Sequence, residues 1–161
     1  MGKRTSGYLG AILLIALAIA PSLPASRDPN AFSATDFKKL LQTVADGWNQ
    51  GNARKSADCF ARDAVYTVAS LGLVKSGREA LYEYFGGDKG IGHPVVMTWH
   101  HVVFDRDLEL GAGEFTFEMS GRGHGIVLVK LREGKISNWR EYFTKSDLDW
   151  AAFEGENKFQ D

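Results

Sequence analysis

The sequence predicts an α+β domain in which a curved antiparallel sheet wraps on N-terminal helices around an apolar pocket. Three observations predict it. Apolar residues recur at helical spacing as far as Phe85. From Pro94 onward the period drops to two. The two patterns follow in series instead of alternating, which stacks a helix layer on an antiparallel sheet. Long strands twist and coil, and Gly111, Gly113, Gly123 and Gly125 offer bend or bulge sites, so the sheet curves and leaves a cavity beneath the helices.

Lys3 and Arg4 precede an uninterrupted apolar run over residues 8–20, and Pro21, Ser22 and Pro24 then break any helix. The run has the length of a signal peptide's apolar segment and is short for a membrane span. Residues 1–26 therefore read as a signal peptide, with an uncleaved membrane anchor as the alternative, and the protein as exported to a periplasm or secreted. Residues 27–34 read as a linker, 35–153 as the folded domain and 154–161 as a C-terminal tail.

Ser33 with Asp36 three residues later is a helix start. Phe37, Leu40, Leu41, Val44 and Trp48 form one apolar face, and Gly51-Asn52 ends the helix. Residues 53–60 read as a second short helix and 63–68 as a strand. A third helix begins at Gly77 and buries Leu81, Tyr84 and Phe85. The glycine-rich loop at 86–92 has neither the strand-to-helix setting nor the ending of a phosphate cradle. Four strands follow over 95–104, 108–119, 125–132 and 135–144. Short turns at 105–107, 121–123 and 133–134 make them an antiparallel meander. Residues 146–153 read as a terminal helix or turn.

The 161 residues suit one domain, and the aromatic content of 12% supplies a core. The net charge is −1, and losing residues 1–26 removes two basic residues and no acids, giving −3. With no basic stripe left, nucleic acid is excluded as a partner. A membrane contact is expected only through an uncleaved N-terminal segment. Cys59 is the sole cysteine, so no internal disulfide forms, and its apolar neighbours make it a buried structural thiol.

On the last strand Trp139, Glu141 and Phe143 share one face while Arg140 and Tyr142 share the other. The first set is mainly apolar, which sets one carboxylate in a pocket wall. Desolvation there raises its pKa and makes it a general acid or base. The competing reading pairs Glu141 with an arginine on a neighbouring element. His100 and His101 are adjacent on a strand, so regular geometry points them to opposite faces and keeps them from sharing one ion. No metal is expected.

The pattern of Trp48, a short second helix, Phe60-Ala61-x-Asp63-Ala64-x-Tyr66, Gly77-Arg78-Glu79-Ala80, Tyr84-Phe85 and the ending at 134–143 resembles the SnoaL-like branch of the nuclear transport factor 2-like superfamily. The resemblance covers roughly residues 35–150. It implies a cone-shaped α+β barrel with a deep apolar pocket, frequently a homodimer through the sheet's outer face. Members include epoxide hydrolases, steroid isomerases, dehydratases and inert binders, so a small apolar molecule is the expected partner and no cofactor is implied. Residues 139–143 are similar to the ending of the limonene-epoxide hydrolases, whose acid at the place of Glu141 helps to activate water. Tyr66 matches a pocket tyrosine, and Val68 stands where those hydrolases hold the water with asparagine. Their Arg-x-Asp pair falls near Gly111–Gly113, where neither residue occurs; Glu109 and Glu114 are the candidate replacements for the acid. His100 lies where scytalone dehydratases have a pocket histidine, with Asn49 and Gly125 at two of their other polar positions. The resemblance thus makes Glu141, Tyr66 and His100 the candidate catalytic residues, and Trp48, Trp139, Phe143 and Val68 the candidate ligand contacts.

Overall fold

The computed structural model describes residues 2, 32–91 and 94–159. The expected signal peptide or anchor and residues 27–31 of the linker lie outside the described residues. No helix among the described residues is long and apolar enough to cross a membrane.

Helix α1 spans Ala34–Asn49. The Ser33 hydroxyl accepts from the Asp36 amide at 3.1 Å and the Asp36 carboxylate accepts from the Ser33 amide at 3.1 Å, satisfying two donors that the first turn leaves open. Its apolar stripe of Phe37, Leu41, Val44 and Trp48 is buried, each side chain contributing about 1.5–3 kcal/mol of transfer free energy. Helix α2, Ala53–Ala57, is capped by the Asn52 side chain and stops three residues before the expected end. Phe60 belongs instead to strand β1, Phe60–Val68, because the Cys59 carbonyl accepts from the Ile136 amide at 3.0 Å and Phe60 pairs with Ile136.

Strand β2, Leu73–Ser76, pairs antiparallel with β1 and has no counterpart in the sequence reading. Four residues, none of them buried, leave too short a pattern to register. Helix α3, Arg78–Tyr84, is tied to β1 by the Arg78 Nε bond to the Phe60 carbonyl at 2.8 Å and the Gly77 amide bond to Ala64 at 2.8 Å. The meander then runs as β3 (Val96–Asp105), β4 (Leu110–Glu118), β5 (Arg122–Arg132) and β6 (Lys135–Lys145). The expected turn at 121–123 shortens: Arg122 pairs with Glu118, so β5 starts three residues early. Helix α4, Trp150–Glu154, is capped by Asp149 and begins four residues later than expected.

The sheet order is β2-β1-β6-β5-β4-β3. Every pair is antiparallel except β1 with β6, so the sheet is mixed where a wholly antiparallel one is expected. The parallel pair is possible because most of the domain intervenes between the two strands and returns the chain in the same direction. It sets Tyr66 beside Trp139 and Val68 beside Glu141.

Helix α1 covers the inner face. There a Cβ on Gly111 would stand 2.4 Å from the Phe37 ring, and one on Gly113 would stand 2.7 Å from the Trp99 ring. Those two rings fill the space that side chains on β4 would need. Asn49 closes the helix against the edge strand, accepting from the Met97 amide at 2.7 Å and donating to its carbonyl at 3.1 Å. The outer face leaves Val103, Ile126, Leu128 and Tyr142 exposed.

Candidate functional site

Strand parity carries Glu141 inward as expected. Residues of α1, α3, β1, β3, β4 and β6 line a cavity of about 260 Å³, largely with aromatic and aliphatic side chains, and Glu141 is its only ionisable carboxyl among the described residues. Glu141 is 7% exposed. Its Oε2 accepts from the Tyr66 hydroxyl at 3.1 Å and from the Trp139 indole N–H at 3.0 Å. Tyr66 and Trp139 stack with ring centres 5.7 Å apart, a consequence of their being paired across β1 and β6. Both donors converge on one oxygen, and Oε1 has no protein hydrogen bond among the described residues. No ion pair involving Glu141 occurs among them either, so the reading that sets an arginine against it is replaced by this neutral pair of donors.

Burial pushes the Glu141 carboxyl above the ordinary carboxylate range, and the Trp139 and Tyr66 donors pull back against that rise. Burial, and then the neighbouring Glu141 charge, hold the Tyr66 phenol well above its usual range, so it remains a protonated donor. A carboxyl with raised proton affinity in the wall of an apolar cavity is suited to act as a general acid or base.

The remaining candidates divide. Trp48, Val68 and Phe143 line the cavity with Tyr66 and Glu141. Trp139 does not line it; it lies behind the carboxylate, 1% exposed, and acts through its N–H. His100 is not in this site. A bulge between Trp99 and Val102 inserts one residue in β3, so Trp99 and Val102 point inward and both histidines between them point outward. His100 Nε2 meets Thr116 Oγ1 at 2.7 Å, and His101 Nδ1 meets Glu114 at 2.9 Å. The bulge also corrects the expectation that the two histidines occupy opposite faces. No group of three metal-binding side chains occurs among the described residues.

Neither substitute acid reaches the cavity. Glu114 is held by His101 on the outer face, and Glu109 sits in the β3–β4 turn with φ at +46°. Asn49 is spent on the Met97 backbone. Cys59 is buried, and burial pushes its thiol up to about 11.

Among the described residues, one cavity residue with a polar side chain was not among the sequence candidates. Tyr84, on α3, lines the same wall with its ring 5.8 Å from Tyr66 and Lys75 Nζ 5.6 Å from the ring centre. The helical pattern expects Tyr84 to be buried with Leu81 and Phe85, whereas it is 40% exposed while lining the cavity, because that pattern marks an apolar face and not the opening of a pocket.

The family described as SnoaL-like domain matches residues 30–139. The chain belongs to that family. No curated protein matches the sequence. Among solved structures it is similar to a cystatin-like-fold protein from Methylobium petroleophilum, at 20% identity and TM-score 0.62, covering 74% of this chain and 83% of that one. It is also similar to SalBIII, an epoxide hydrolase/cyclase-like enzyme with a role in pyran ring formation in polyether salinomycin, at 21% identity and TM-score 0.58, covering 68% and 92%. A third is a LEH-like epoxide hydrolase of M. tuberculosis, at 15% identity and TM-score 0.55, covering 68% and 84%. At these identities the likeness establishes the fold, a nuclear transport factor 2-like pocket fold.

Proposed function

We propose that Glu141 is the general acid or base of a small-molecule enzyme that hydrolyses, isomerises or dehydrates a compact apolar substrate bearing oxygen. The observation that carries this reading is a buried carboxyl in an apolar cavity, with two donors on one oxygen and the other oxygen left free. The epoxide hydrolase names among the similar structures support the same class of chemistry. Tyr66 and Trp139 set the carboxyl's orientation, and the cavity wall excludes water and holds the substrate against it.

A second reading, a non-catalytic binder of an apolar ligand, draws on a specific observation. At Gly111 and Gly113 the Phe37 and Trp99 rings occupy the space where the hydrolases' Arg-x-Asp pair is expected, so no cation is available there to activate a leaving oxygen. The test is conversion of small epoxides, β,γ-unsaturated ketones and β-hydroxy ketones by the wild type and by Glu141→Gln. The enzyme reading expects turnover of one class and a loss of about 10²–10⁴-fold in the variant. Binding without turnover, unchanged in the variant, establishes the binder.

A further inference from the structure

Counting donors in the cavity leads to a residue that the catalytic assignment leaves out. A ligand oxygen in an apolar pocket needs a hydrogen-bond donor, because a buried acceptor left unpaired loses its water without replacement. Among the described residues, four that line the cavity carry a nitrogen or oxygen on the side chain: Trp48, Tyr66, Tyr84 and Glu141. The single proton of the Tyr66 hydroxyl is committed to Glu141 Oε2, and the N–H of Trp139, behind the wall, goes to the same oxygen. The Trp48 indole nitrogen is fully enclosed and has no hydrogen-bond partner among the described residues. Enclosed by the rings of Phe85, Phe117 and Trp139, it presents no surface to the cavity. Tyr84 is left. It is 40% exposed, and no hydrogen bond to its hydroxyl is present among the described residues.

The fold holds Tyr84 in place. Leu81 in the same helix is fully buried, and Arg78 and Gly77 are bonded to the β1 backbone at Phe60 and Ala64. The ring lies against Tyr66, whose hydroxyl touches Glu141, so Tyr84 and the carboxyl share one cavity. Burial and the Glu141 charge hold the Tyr84 phenol above its usual range, so at neutral pH it keeps its proton.

We propose that Tyr84 donates the hydrogen bond that recognises the ligand's oxygen, which selects neutral molecules bearing an acceptor oxygen. Anionic ligands are selected against, since among the described residues no lysine, arginine or histidine lines the cavity to offset Glu141. The assignment rests on the pocket reading given under Proposed function and adds to it the residue that sets specificity.

The test uses 1-indanone and indane, nearly equal in shape and differing in a carbonyl oxygen, titrated into ¹⁵N-labelled protein while the indole N–H signals are followed. Both compounds bind the wild type. Tyr84→Phe weakens 1-indanone by about 3- to 10-fold, the range of one hydrogen bond, and leaves indane unchanged. Equal losses for both compounds in Tyr84→Phe mean a packing role and overturn the assignment while the pocket reading stands. An unchanged ketone-to-hydrocarbon ratio in Tyr84→Phe overturns it too. Failure of both compounds to shift any indole signal in the wild type overturns the pocket reading and the assignment with it.

Discussion

Replacing Glu141 by glutamine isolates the price of burying a carboxylate without a counter-charge. The amide oxygen of glutamine can accept the same two hydrogen bonds from Tyr66 and Trp139, so the geometry is kept while the charge is removed. The folded pKa of Glu141 lies above the unfolded value of about 4.3, so the native state holds the proton more tightly than the unfolded chain does. Stability contributed at this site is therefore highest below that unfolded value, and it falls as pH rises from there through the raised folded value. Every tenfold difference in proton affinity between the two states is worth about 1.4 kcal/mol. For one buried carboxyl keeping two donors, the expected gain of the variant over wild type at pH 8 is on the order of 1–3 kcal/mol. That corresponds to a rise in melting temperature of about 2–12 °C for a domain of this size. At pH 4, where the wild-type carboxyl is protonated, the gap closes. The assay is thermal or urea unfolding of both proteins from pH 4 to 8, and it needs no substrate. A difference that stays constant over the range, or a variant less stable at pH 8, would mean that the carboxylate has a cation beside it and would refute the argument. Taking the difference between the two proteins cancels Asp36, Asp63 and Glu79, whose carboxyls are lowered by hydrogen bonds from Ser33, Arg132 and Arg54 and so titrate in the opposite sense.

Two further outcomes follow from the packing. Gly111→Ala sets a methyl against both the Phe37 ring and the Val103 carbonyl, the latter at 2.8 Å, and should lower stability by about 1–3 kcal/mol in urea unfolding; an unchanged midpoint would show that α1 yields there. On the outer face the C-terminal segment rests on histidines: the Trp150 ring stacks on His100 at 3.6 Å, Phe153 packs on His124, and His124 Nε2 donates to the Leu148 carbonyl at 2.9 Å. Burial first, then His124 and His101, depress the His100 pKa, with Glu114 and Glu154 opposing. Docking is therefore strongest above the ordinary histidine value of about 6.5 and weakens as pH falls through the lowered one. Protection factors at residues 150–155, corrected for the intrinsic pH dependence of exchange, should fall as pH is lowered from 7.5 to 5.5, and equal protection at both would contradict this.

Much of the site was legible because side-chain parity along an unbroken strand is a local property. Trp139, Glu141 and Phe143 alternate with Arg140 and Tyr142, and β6 obeys that rule through the carboxylate. His100 was misplaced because one inserted residue reverses parity, and nothing local in Thr98-Trp99-His100-His101 marks a bulge. The capping box at Ser33 and the apolar stripe of α1 were equally local, and the structure keeps them. Strand β2 and the end of α2 were not legible, since one is too short to show a period and the other is decided by β6 pairing with Phe60.

Composition, periodicity and motif order thus determined, from the sequence alone, the α+β class, the layer order, the family and the inward carboxylate, because each depends on residues close together in the chain. The tertiary structure alone decided the parallel β1–β6 pair, the two donors on Glu141 Oε2, the filling of the Gly111 and Gly113 positions by Phe37 and Trp99, and the free hydroxyl of Tyr84. Those features join residues distant in sequence, and only the register between strands and the seat of α1 on the sheet bring them into contact.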